Sequence, residues 1–166
     1  MNHSECIFIV DDDDGHAHLV ESNLRKSGIT NPIQRFVAGD DVLDHIYEDP
    51  ANVSRPLLML LDLNMPGTDG IDVLGEIRGH DDTLSLPVII LTTTDAPPEV
   101  ERAYRLGCNL YVKKPVQYDE FVAQVGKLGL VIQLIEAPRG PQNGLEPRTA
   151  RLIRTEPRRD ATDGAD

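Results

Sequence analysis

Residues 57–70 read Leu-Leu-Met-Leu-Leu-Asp-Leu-Asn-Met-Pro-Gly-Thr-Asp-Gly. The first five are apolar without interruption, the length of a strand rather than a helix. A strand with no polar alternation is one covered on both faces, as in a parallel sheet. The run meets an acid at Asp62 and passes into a turn-rich loop carrying Pro66, Gly67 and Gly70.

Four more short strand-like runs flank this one, at residues 6–10, 32–38, 88–91 and 110–112, apolar except for Gln34 and Arg35 in the second. Between and after them lie stretches with helical spacing of apolar residues, at 16–28, 42–48, 71–78, 97–106 and 118–128. Gly28 and Gly107 close two of these, and Pro97 with Pro98 opens the fourth. Strand and helix alternate five times. That order predicts an α/β fold, a doubly wound five-stranded parallel sheet with helices on both faces and right-handed crossovers. Such sheets bind ligands beyond the carboxyl ends of their strands, near a switch in strand order.

Composition narrows the function. The chain has 166 residues, 40% of them apolar, which suits one domain with one packed core. A net charge of −12 disfavours nucleic acid as a partner. No run approaches the roughly 20 apolar residues that span a bilayer, so no membrane partner is expected. The first residues carry neither a basic stretch nor a cleavage pattern, which points to a cytoplasmic protein. Cys6 and Cys108 have no metal or redox spacing and read as small buried hydrophobes. Past residue 136 the composition changes: six arginines, five acids and frequent Pro and Gly predict a disordered tail over 137–166, with the folded domain occupying 1–136. That tail is too short and polar to be an output domain.

The acids are not evenly spread. Asp11 and Asp12 follow the first strand, and Asp62 ends the third. Thr92 ends the fourth strand and Lys114 the fifth. In a parallel sheet these ends face one way, so the five residues meet in one shallow pocket. Three neighbouring carboxylates repel unless one is protonated or a cation joins them. A site of this kind suits Mg²⁺, which keeps waters and leaves room for a phosphate oxygen. Thr92 and Lys114 could help neutralise a transferring phosphoryl group, with Asp62 as the nucleophile. Asp13 and Asp14 continue the acidic run and are read as caps on the first helix.

At these positions the chain resembles the response-regulator receiver family. The resemblance is carried by Val-Asp-Asp (10–12), Leu-Leu-Asp-Leu-Asn-Met-Pro-Gly-Thr-Asp-Gly (60–70), Ile-Leu-Thr-Thr (90–93) and Tyr-Val-Lys-Lys-Pro (111–115), in order, over residues 6–128. It implies a flavodoxin-like receiver fold. It also implies a function: accepting a phosphoryl group on Asp62 from a sensor histidine kinase, with Mg²⁺, and switching protein contacts rather than turning over a substrate. Asp12, Asp62 and the backbone carbonyl of Asn64 are then the metal ligands, with Asp11 acting through water. Thr92 and Tyr111 are the switch pair, Lys114 pairs with the phosphoryl group, and Pro115 follows a cis peptide. Thr93 stands where many members carry a smaller residue, which would restrict access to the acyl phosphate and slow its hydrolysis. The competing class is an aspartyl-nucleophile phosphatase. Such enzymes place a second acid two residues after the nucleophile, and Asn64 stands there instead.

The chain further resembles single-domain regulators paired with phytochrome-type kinases. The residues concerned are Asp-Gly-His-Ala-His-Leu-Val-Glu (14–21), Leu-Thr-Thr-Thr-Asp (91–95), Lys-Pro-Val-Gln-Tyr-Asp-Glu-Phe (114–121) and Leu-Gly-Leu-Val-Ile-Gln-Leu-Ile-Glu (128–136). This implies a bacteriophytochrome as the kinase partner. The last segment is more apolar than a chain end usually exposes. Either it lengthens the fifth helix against its own domain, or it forms a homodimer contact through Leu130, Val131, Leu134 and Ile135, the reading favoured here. His16 and His18 are expected on the surface, and His45 on the polar side of the second helix.

Overall fold

The computed structural model describes residues 6–48 and 56–135. The expected tail therefore lies outside the described residues. Strands and helices alternate in chain order: β1 (Cys6–Val10), α1 (Asp14–Lys26), β2 (Ile33–Phe36), α2 (Gly39–Tyr47), β3 (Pro56–Leu61), α3 (Gly70–Gly79), β4 (Val88–Thr92), α4 (Pro97–Leu106), β5 (Leu110–Lys113) and α5 (Tyr118–Gln133). All four strand pairings are parallel.

The strand order is β2-β1-β3-β4-β5. The chain steps outward from β1 in both directions, so the switch point lies between β1 and β3. A crevice opens there at the carboxyl ends of the strands. Asp11 and Asp62 are the first residues beyond those two ends.

Successive residues of a strand face opposite sides of the sheet. Phe8, Val10, Met59, Leu61, Val88 and Ile90 pack on one side with α2, α3 and α4. Ile7, Ile9, Leu58, Leu60, Ile89 and Leu91 pack on the other with α1 and α5. The uninterrupted apolar character of β3 is thus split between two cores, which is why no polar alternation is tolerated in it.

The helix ends follow local chemistry. The Asp13 carboxylate accepts the His16 amide at 3.0 Å and caps α1. Asp14 does not cap; it is the first residue of the helix, where its charge still meets the positive end. Asp69 accepts the Asp72 amide at 3.0 Å and caps α3. Gly107 stops α4 in the left-handed conformation, φ +99°.

Three expectations need correcting. The Lys114–Pro115 peptide is trans, for no cis peptide occurs among the described residues. Proline lowers the trans preference but leaves it favoured, so a cis bond needs local packing to impose it. His45 does not sit on a polar face. Its ring packs on Phe8 and Phe36, with centroids 5.6 and 5.2 Å away. His45 lies three residues after Val42, on the flank of the inner stripe of α2, where its ring can reach the aromatic pair. Finally, α5 runs five residues past its expected end at 128. Leu128 and Ile132 continue its buried stripe, and Ile135 packs partly against the same core. Ile135 is half-buried and shared between the domain's own packing and the surface, whereas Leu130, Val131 and Leu134 face outward.

Candidate phosphoacceptor site

The five residues expected to converge do so. Asp11, Asp12 and Asp62 each offer a carboxylate oxygen, and these oxygens lie within 4.8 Å of one another. Hydrogen bonds along the sheet hold two of the acids in place. The Asp11 amide donates to Phe36 on β2, and the Asp62 amide donates to Val10 on β1, at 3.0 and 2.9 Å. Asp11 and Asp62 are buried, while Asp12 is exposed at the mouth.

Lys114 closes the cluster from the β5 side. Its side chain is only 3% exposed, and its ammonium lies 2.6 Å from Asp11 Oδ2 and 3.2 Å from Asp62 Oδ2. The Lys114 amide donates to the Thr92 carbonyl at 2.6 Å, so the two residues are held in step across β4 and β5. Burial pushes the Asp11 carboxyl above the usual range, and the Asp62 charge adds to that; Lys114 and the Asp13 amide oppose it. A second cation would relieve the same strain. Hard oxygen donors with room for water match a divalent ion of the Mg²⁺ kind.

Asn64 sits over this cluster in the loop that leaves β3. Its amide donates to Asp62 Oδ1 at 3.1 Å. Its carboxamide donates to the hydroxyls of Thr92 and Thr93, at 3.3 and 3.2 Å. Thr92 is fully buried, and Thr93 is exposed beside it. Tyr111, on β5, is turned toward the domain, and its hydroxyl donates to the Thr94 carbonyl at 2.7 Å.

His16, expected on the surface, keeps nearly half of its side chain exposed, and it also faces the site. Its Nδ1 is 3.5 Å from Lys114 Nζ and 3.6 Å from an Asp13 carboxylate oxygen. With Thr93, Lys114, Val116, Tyr118 and Phe121 it lines a cleft of about 550 Å³ beside the acids. The signal was present in the chain: the third residue after the Asp13 cap lies in the first turn of α1, and that turn points at the carboxyl edge of the sheet. The side chain of Asn64 was also missed, since only its backbone was assigned a role.

Carboxylates, one buried ammonium and a buried hydroxyl thus meet at the switch point of a doubly wound parallel sheet. Residues 7–126 match the response regulator receiver domain family. The chain belongs to that family, and its flavodoxin-like fold is the receiver fold. It is the receiver domain of a two-component system, a family of signalling proteins that interact with histidine kinases.

Solved structures agree. A response regulator receiver domain from Rhodospirillum rubrum is 39% identical, with TM-score 0.74, covering 80% of this chain and 96% of that one. The Mn²⁺-bound response regulator Rcp1 is 28% identical, with TM-score 0.76, covering 81% and 99%. The phosphorylated cyanobacterial phytochrome response regulator RcpA is 28% identical, with TM-score 0.71, covering 75% and 91%. No helix among the described residues is long and apolar enough to cross a membrane.

Proposed function

We propose that this receiver takes a phosphoryl group from a phytochrome-type sensor histidine kinase onto Asp62, with Mg²⁺, and passes the signal on by changing its protein contacts. In the transfer an Asp62 carboxylate oxygen forms a bond to phosphorus, and the bond from phosphorus to the kinase histidine nitrogen breaks. Asp12, Asp62 and the Asn64 carbonyl would hold the metal directly, and Asp11 through water. The ion would supply positive charge where phosphate oxygens crowd the acids. Lys114 has its ammonium beside Asp62 Oδ2 and can follow a new anion on that oxygen. Thr92 and Tyr111 form the switch, and Thr93 narrows access to the acyl phosphate.

The observation that carries this reading is the set of three acids with their carboxylate oxygens within 4.8 Å, backed by a buried lysine. A divalent ion is supported by the Mn²⁺-bound relative, and phytochrome pairing by the phytochrome regulator among the similar structures. Homodimerisation through the outward side of α5 is supported by three adjoining exposed apolar residues, Leu130, Val131 and Leu134.

The test is transfer from a radiolabelled histidine kinase to the wild-type chain and to Asp62→Asn. The variant should fold normally and take up no label. Labelling of the variant at the wild-type level would exclude Asp62 as the acceptor.

A further inference from the structure

Strand β5 is the last in the sheet, so alternate backbone groups along it face away from β4 and need partners elsewhere. Two of these groups are met by side chains of the flanking helices. The Tyr111 amide donates to the Tyr104 hydroxyl on α4 at 3.1 Å. The Gln124 carboxamide on α5 donates to the Lys113 carbonyl at 2.8 Å.

The side chains of the same two strand residues reach into the loop between β4 and α4. The Tyr111 hydroxyl donates to the Thr94 carbonyl at 2.7 Å. The Lys113 ammonium pairs with Asp95 at 2.7 Å. Tyr111 is therefore held twice: α4 grips its backbone, and its hydroxyl grips the loop that leads into α4. Thr94 lies two residues from Thr92, whose hydroxyl is already tied to Asn64 at the acidic site.

We propose that Tyr104 is a positioning residue for Tyr111. Its hydroxyl fixes the spacing between α4 and the edge strand. It thereby fixes where the Thr94 carbonyl stands to receive the Tyr111 hydroxyl. Occupancy of the Asp62 site and the seating of Tyr111 are coupled through this contact. The inference rests on the reading of Asp62 as the phosphoacceptor. Coupling of this kind is reciprocal: if an anion on Asp62 favours the seated tyrosine, loosening the seat must weaken binding of that anion. Tyr104 is exposed on one side, so removing its hydroxyl takes away one atom and no core packing.

The test uses the full chain with Mg²⁺ and beryllofluoride, comparing wild type with Tyr104→Phe, Tyr111→Phe and the double variant. In Tyr104→Phe, amide exchange at Tyr111 should quicken roughly tenfold, as for one lost hydrogen bond, while the amides of Ile89 and Val112 keep their rates. Beryllofluoride affinity should fall about fivefold, with Mg²⁺ affinity unchanged. Adding Tyr104→Phe to Tyr111→Phe should lower it little further, because the two act on one contact. Unchanged exchange at Tyr111 would overturn the inference. Faster exchange with unchanged beryllofluoride affinity would also overturn it, leaving Tyr104 as an edge cap alone. Wild type failing to take beryllofluoride would remove the Asp62 reading and this inference with it, whereas equal binding by wild type and Tyr104→Phe removes only the inference.

Discussion

The Lys114 ammonium and Asp11 Oδ2 lie 2.6 Å apart, both almost wholly enclosed. The lysine reaches Asp62 as well, so one cation serves two buried carboxylates. Replacing it by an apolar residue of similar length leaves both acids without a counter-ion. Breaking a buried pair from one side costs roughly 3 kcal/mol or more. Lys114→Met should lose about that much in metal-free urea unfolding, and should regain more stability than wild type when Mg²⁺ is added. Equal stabilisation of both proteins by Mg²⁺ would mean that the lysine and the ion do not answer the same charges.

Gly70 backs directly onto the turn after β3. A β-carbon there would overlap the Asp62 carbonyl oxygen and stand 2.7 Å from Leu63 Cα. Backbone cannot rotate out of the way as a side chain can. Gly70→Ala should cost about 1–3 kcal/mol by overpacking and shift the Asp62 carboxylate enough to weaken Mg²⁺ binding. Unfolding curves and a Mg²⁺ titration check both parts. Gly75, where a β-carbon meets nothing within 4 Å, is the natural control and should tolerate alanine.

Burial, with Glu99 and Asp95 nearby, pushes the Tyr111 phenol up to about 12. An unfolded tyrosine ionises near 10. The folded state thus favours the neutral, donating phenol. The stability from this group is complete below pH 10, and is lost as pH rises through about 12. An ultraviolet titration should show a late step that is absent in Tyr111→Phe. A Tyr111→Phe titration with the late step intact would assign it to another residue.

Leu134 is 82% exposed at the end of α5. Leu134→Asp should leave urea unfolding within about 0.5 kcal/mol of wild type, as for ordinary surface changes. If the outward side of α5 is a homodimer contact, the variant should sediment as a lighter species than wild type at equal concentration. Identical sedimentation of the two would remove that contact.

The fold was legible in the chain because its strongest signals are local. A five-residue apolar run ending in an acid fixed β3, and Pro97, Gly107 and Gly28 marked where helices begin or stop. The acids could be brought together from sequence because all strands of a parallel sheet end on one edge. What was not legible depends on direction within a helix. Residues 128–135 are apolar on nearly every side, so spacing alone does not say that Leu128 and Ile132 turn inward and Leu134 outward. His45 was misplaced for a related reason: an imidazole fills an aromatic niche that only the fold creates. His16 is at the surface as read, but its place beside Lys114, 98 residues away, has no local signal.

Strand β3 is enclosed on both faces and flanked on both edges, so the acid at its tip ends an interior strand. Strand β5 has an open side, and Tyr111 stands on it. Under the proposed function, the stroke that writes the message therefore leaves its own foundation still. The give is confined to the rim, where a rearrangement can be felt by whatever touches the domain from outside.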